Sequence, residues 1–195
     1  MQPPELLQLL QALHSERQQT MLSNWNRSVP FGDEIVDRWQ RAEALGFGTG
    51  ASIYDSSLVL GNVRVGEGTW IGPFTVLDGS GGLDIGSTCS ISAGVQIYSH
   101  DSVRWALSGG KAEYERAPVS IGSRTYIGPM TVVTSGVRIG ECCVVGANSM
   151  VNCDLPDRTI AWGSPCRVVG RVEIGCDDTI KFVYEVVANA PAPNA

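Results

Sequence analysis

Two histidines, His14 and His100, and six cysteines (Cys89, Cys142, Cys143, Cys153, Cys166 and Cys176) are among the side chains suited to acid–base, nucleophilic or metal chemistry. The cysteines form no CxxC pair, and two histidines are too few for a zinc cluster of the usual spacing, so no metal is expected. The thiols read as free cysteines of a reducing compartment. His14 falls among leucines at 6, 9, 10 and 13, where a histidine packs or is solvated. His100 stands just before a polar, glycine-punctured run, DSVRWALSGGKAEYERAP (101–118). An imidazole there suits a general base, because histidine ordinarily titrates close to neutral pH. What it does depends on the elements that hold it.

Those elements follow from a repeat of period six. Ile53, Val59, Val65, Ile71 and Leu77 step by six, then Ile85, Ile91 and Ile97, then Ile121, Ile127, Val133, Ile139, Val145 and Val151. Between Leu77 and Ile85 the frame slips by two, across Gly79-Ser80-Gly81-Gly82. Four residues after the anchors runs a second column of small residues: Ser57, Val63, Thr69, Thr75, Cys89, Val95, Thr125, Thr131, Val137, Cys143 and Ser149. A glycine often follows the anchor, as at 66, 72, 86, 122, 128, 140 and 146. An aliphatic residue, a turn and a small inward residue describe one short strand and its corner. Three such sides close a triangular coil of about eighteen residues, with parallel strands stacked about 4.8 Å apart. Cys89 and Cys143 then become small core residues.

Coil arithmetic places His100, three residues past Ile97, at a corner. Gly136 lies above it and the Asp78–Gly82 turn beneath it, since Val133 and Leu77 are the adjacent anchors. Residues 101–118 amount to one full coil without the repeat's columns, so they should loop out, and long structureless insertions are usually functional. Position alone leaves open a surface histidine at a loop entrance. It equally leaves the Asp78–Gly82 stretch as a plain turn that absorbs the slip.

The chain divides into a helical segment (1–50), the repeat (51–171, with its insertion) and a tail (172–195). Residues 3–26 and about 33–45 read as helices, Val168–Ile174 as a strand and 177–188 as a terminal helix. The six residues from Ala190 read as a disordered tail. With 14 Lys+Arg against 20 Asp+Glu there is no basic patch for nucleic acid. No apolar run is long enough for a membrane span, and the start lacks a signal-peptide pattern, so a cytoplasmic location is expected.

Residues 50–171 resemble the left-handed parallel β-helix acyltransferases of the hexapeptide-repeat family. The resemblance is to the branch that acetylates sugars: galactoside and maltose acetyltransferases, and the capsule and lipopolysaccharide O-acetyltransferases. It rests on LDGSGGLDIG (77–86), ISAGVQIYSHDS (91–102), APVSIGSRTYIGPMTVVTSGVRIG (117–140) and VVGANSMVNCDLP…AWGSPCRVVG (144–170). The resemblance implies an all-β, left-handed coil, acetyl-CoA as co-substrate, a sugar or glycan acceptor, and a homotrimer with active sites between subunits. It makes His100 the catalytic base, because these enzymes carry a histidine before such a loop.

Asp78 and Ser80 are the candidates to orient that ring, with Asp101 weaker because an adjacent side chain tends to point away. Gly128 and Ala147 match coenzyme A contacts, and Arg167 and Arg171 match basic residues near its phosphates. Tyr126 matches an aromatic lining the cleft, and Trp105, Tyr114 and Arg116 on the insertion are candidate sugar or coenzyme contacts. Two departures stand out. Pro129 occupies the position of the family's oxyanion amide and has no N–H, so either the register differs locally or another donor, such as a nearby amide or the Ser80 hydroxyl, takes that role. Cys153 replaces the lysine common before the Asp-x-Pro turn. The implied activity is acetyl transfer to a sugar hydroxyl in surface polysaccharide synthesis. Acetylation of a sugar-nucleotide amine, acetylation of an antibiotic and a non-catalytic assembly scaffold are the alternatives.

Overall fold

A computed structural model describes residues 3–184. The chain forms a stacked-coil parallel β-helix, consistent with the left-handed form, behind three N-terminal helices. Its three faces are the three anchor columns. On the first, Ile53, Ile71, Ile91, Ile127, Val145 and Ala161 stack in parallel register. On the second, Val59, Leu77, Ile97, Val133 and Val151 do the same. On the third come Val65, Ile85, Ile121, Ile139 and Leu155. Apart from the half-buried Val59, all of these are buried and fill the centre of the prism.

The small-residue column has a polar task as well as a steric one. Its hydroxyls donate to a carbonyl of the next coil: Ser57 to Gly72 O (2.9 Å), Thr69 to Gly86 O (2.8 Å), Thr125 to Gly140 O (2.9 Å) and Thr131 to Gly146 O (3.0 Å). Three of them also accept an amide of that coil, from Thr75, Cys89 and Cys143. Cys89 and Cys143 are buried free thiols in this column, as expected, and burial raises both above the ordinary thiol value. Corner residues Thr88, Arg124, Cys142 and Arg158 take left-handed φ of 56–60°. Each donates its amide to the corner beneath, which offsets a conformation that L-residues avoid.

The helices α1 (Pro3–Trp25), α2 (Phe31–Ile35) and α3 (Arg38–Ala44) fall where the sequence places helices, the second stretch being broken at Val36-Asp37. Asp37 caps α3 by accepting from the amides of Trp39 and Gln40. His14 is a packing residue: its Nδ1 lies 2.9 Å from the buried Glu34 carboxylate and its ring meets Phe31 edge-on. The leucines of α1 stay exposed on the single chain.

Two expectations are corrected. The insertion is not structureless: it holds a helix, α4 (Val103–Leu107), and an antiparallel strand pair that joins His100–Asp101 to Glu115–Arg116. The helix expected over 177–188 is, in its described part, the strand Ile180–Tyr184, paired antiparallel with Arg167–Ile174. The open edge of that strand and the run Ile-Lys-Phe-Val-Tyr favour a ladder over the helical spacing of the same apolar residues. Residues 185–188 and the expected disordered tail lie outside the described residues.

Ile127 is fully buried between Ile91 and Val145. Ile127→Ala should therefore cost about 2–5 kcal/mol in urea unfolding, as large-to-small changes in closed cores do. A loss below about 1 kcal/mol would contradict the packing described.

Candidate active site

The site begins where the repeat departs from its period. Strand Val76–Ile85 lies on Leu58–Val65, and the register shifts because Gly61 faces Gly79 while Val63 faces Leu83. The two additional residues are accommodated as a bulge over Asp78–Gly82. Its glycines are required by close approach: a Cβ on Gly79 would run into the Asn62 carbonyl, and one on Gly81 into the Ser99 carbonyl. The stretch both absorbs the slip and carries a carboxylate.

That carboxylate, Asp78, is fully buried. Its Oδ2 lies 2.6 Å from His100 Nδ1 and accepts from the Ser99 amide at 3.0 Å. Its Oδ1 accepts from the amide of Ser80 at 3.0 Å and from the Ser80 hydroxyl. Burial pushes the Asp78 carboxyl upward, but the hydrogen bonds from Ser80, His100 and the amides of Ser80 and Ser99 outweigh it and hold the group at about 2. An ionised Asp78 accepts from Nδ1–H, a tautomer assigned from this partner, and that leaves the lone pair on Nε2. The His100 side chain is about one-third exposed (32%). The imidazole is thus held from behind by a carboxylate that stays charged.

The insertion walls this pair with aromatic rings. His100 and Tyr114 have ring centroids 6.1 Å apart and tilted by 33°, and Trp105 meets Tyr114 edge-on at 5.5 Å. Arg116 pairs with His100 through the backbone and its side chain is exposed. The neighbouring Arg104 and Glu115 form an ion pair at 2.7 Å. Asp101 turns away from the ring, accepting from the Val103 amide where α4 starts.

The other candidates sit elsewhere on the coil. Tyr126 is exposed on the first face, and Gly128 lies directly against Ala147 of the next coil. The Gly128 amide donates to Val145 O, and the coil itself requires a glycine here, since a Cβ would run into the Ala147 backbone. Pro129 accepts from the Asn148 amide. Arg167 donates to Cys166 O, and Arg171 forks onto Glu173 on the exposed terminal hairpin. Among the described residues no group of three or more His, Cys, Asp or Glu could hold a metal, and no helix is long and apolar enough to cross a membrane.

Ser99 is the site residue that the sequence did not single out. Strand alternation from the inward Ile97 would have turned it inward, and it is fully buried.

Comparison with known proteins bears out the resemblance. Residues 118–153 match the family model described as bacterial transferase hexapeptide (six repeats). A Staphylococcus aureus (strain Mu50) protein to which acetyltransferase activity is ascribed is 46% identical over 61 residues, 31% of this chain and 31% of its own. The chain thus spans under a third of the length of such curated relatives. The galactoside O-acetyltransferase of Escherichia coli K12 is 27% identical over 128 residues, 55% of this chain and 63% of that one. Among solved structures, a hexapeptide-repeat acetyltransferase of Vibrio cholerae in complex with acetyl coenzyme A matches with a TM-score of 0.64 at 27% identity. The match covers 83% of this chain and 87% of that one. A variant of AntD, an N-acyltransferase of Bacillus cereus in complex with dTDP and coenzyme A, matches at 0.59 and 28%, over 64% and 72%.

Because its folded pKa, about 2, lies below the ordinary 3.8, Asp78 contributes stability that is present above about pH 4 and lost as pH falls towards 2. At pH 7, Asp78→Asn should be less stable by an amount on the order of 2 kcal/mol. In urea titrations at a series of pH values the gap from the parent protein should narrow below pH 4; a gap that does not change with pH would contradict the assignment.

Proposed function

We propose that the chain is an acetyl-CoA-dependent acetyltransferase that moves the acetyl group to a sugar hydroxyl, with His100 as general base. The observation that carries the reading is the His100–Asp78 pair: a part-exposed imidazole whose Nδ1 is occupied by a buried carboxylate and whose Nε2 is left to accept a proton. Similarity to acyltransferases of this repeat, one of them a galactoside O-acetyltransferase, supports the reaction class.

Acetyl-CoA supplies the activated acyl group as a thioester. His100 Nε2 takes the proton of the acceptor hydroxyl as its oxygen attacks the thioester carbonyl. The C–O bond forms, the C–S bond breaks as the tetrahedral intermediate collapses, and the imidazolium returns its proton to the departing coenzyme A thiolate. Asp78 stays ionised throughout, fixing the ring and stabilising its charged form. Ser80, whose hydroxyl proton is engaged on Asp78, serves in orientation, and the oxyanion falls to a main-chain amide.

Tyr114 and Trp105 offer apolar faces to a sugar ring beside His100, and the exposed Arg116 a charged rim. The coenzyme arm would pass Tyr126 and the small residues Gly128 and Ala147, with Arg167 rather than the ion-paired Arg171 nearest its phosphates. The open leucine face of α1 and the projecting insertion fit a homotrimer with sites between subunits. The acceptor would be a precursor of a surface polysaccharide, acetylated in the cytoplasm where acetyl-CoA is held. The similarity to an N-acyltransferase crystallised with dTDP favours one second reading, transfer to the amine of a sugar nucleotide by the same base.

Incubation with acetyl-CoA and a panel of sugars, amino sugars and sugar nucleotides, read by mass spectrometry, tests this. Turnover with a hydroxyl acceptor should fall by about 10²-fold or more in His100→Ala. Turnover with amines alone would select the second reading. Full activity in the variant would remove His100 as the base.

A further inference from the structure

We infer that Ser99 is a positioning residue for His100, acting through Asp78 and the glycine bulge. This rests on His100 being the base. Three segments converge on Ser99. Its amide donates to Asp78 Oδ2 at 3.0 Å, the same oxygen that lies 2.6 Å from His100 Nδ1. Its hydroxyl accepts from the Gly81 amide at 2.7 Å, which leaves the hydroxyl proton directed at Asp78 Oδ2, 3.5 Å away. Its carbonyl accepts from the Ala117 amide at 3.0 Å, where the insertion rejoins the coil.

The physical consequence is a fixed angle. A carboxylate free to rotate about its last bond would present either oxygen to Nδ1 over a range of directions. Here Ser80 holds one oxygen and Ser99 the other, so the plane of the carboxylate, and with it the direction of Nε2, has one setting. The Ser99 hydroxyl adds what its amide alone would not: it ties the bulge that carries Asp78 to the strand that carries His100. Without it the Gly81 amide loses its acceptor, and the two-residue slip loses the bond that shapes it. A buried donor left unmade is costly, so the bulge would rearrange, and a displacement of about 1 Å is enough to cost catalysis tenfold to a hundredfold.

The test is Ser99→Ala, read twice. In turnover, kcat should fall by about tenfold while KM for acetyl-CoA stays within about twofold, because the residue touches neither substrate. In the free protein, the proton on His100 Nδ1 should exchange with solvent faster than in the parent protein, as followed by NMR and assigned with His14→Asn. If the variant is too unstable to measure, Ser99→Cys fills the site with a weaker acceptor for the Gly81 amide and should show the same pair of changes. An unchanged Nδ1–H exchange rate would overturn the inference, whether or not kcat or stability falls, since a merely structural serine would lower stability alone. If the parent protein turns over no acceptor, the proposed function fails, and the exchange rate still decides the role of Ser99.

Discussion

Each coil of this chain hands its backbone hydrogen bonds and its aliphatic anchor to the coil above, and that stacking in register governs everything else. A parallel stack works only if corresponding residues stay aligned, so any departure from period six must be absorbed locally or it would carry every later anchor out of the core. Between Ile53 and Val151 the chain departs twice. The first departure is the two-residue slip at Asp78–Gly82, and the second is the eighteen-residue insertion after His100; after each one the anchors return to register, as Ile85 on Val65 and Val133 on Ile97. Both departures adjoin the same corner.

The repeat cannot itself bring a carboxylate behind an imidazole. Along a regular strand Asp78, next to the inward Leu77, would face outward into water. The bulge lets Ser80 fold back onto Asp78, and the glycines at 79 and 81 let neighbouring backbone come close enough to bury it. Four hydrogen-bond donors then hold the carboxylate ionised without solvent. A buried charge is tolerable only when it is satisfied in this way, and the donors that satisfy it also fix the imidazole. The insertion completes the corner from the other side with Tyr114 and Trp105.

Much of this was legible in the sequence. The anchors gave all three faces, since an aliphatic residue at each sixth position has one place to go. The small column gave the inward serines, threonines and cysteines, though not their ladder of hydroxyl bonds. His100 and Asp78 could be set on adjacent coils by counting alone. Ser99 stayed hidden because it belongs to neither column, and its role depends on a bulge whose shape no periodicity encodes. The short helix α4 and its strand pair were also out of reach, since the polar, glycine-rich composition of 101–118 resembles that of an open loop. At the C-terminus, apolar spacing in Ile180–Tyr184 fitted a helix, and the free edge of Arg167–Ile174 selected a strand.

The proposed reaction turns on one proton: Nδ1 of His100 bound to Asp78, with Nε2 free. The ¹⁵N shifts of the two imidazoles at neutral pH, assigned with His14→Asn, measure this directly. The prediction is that His100 is the Nδ1–H tautomer and loses that preference in Asp78→Asn. An Nε2–H tautomer in the parent protein would rule out His100 as the proposed base, because Nε2 would then have no lone pair with which to take a proton.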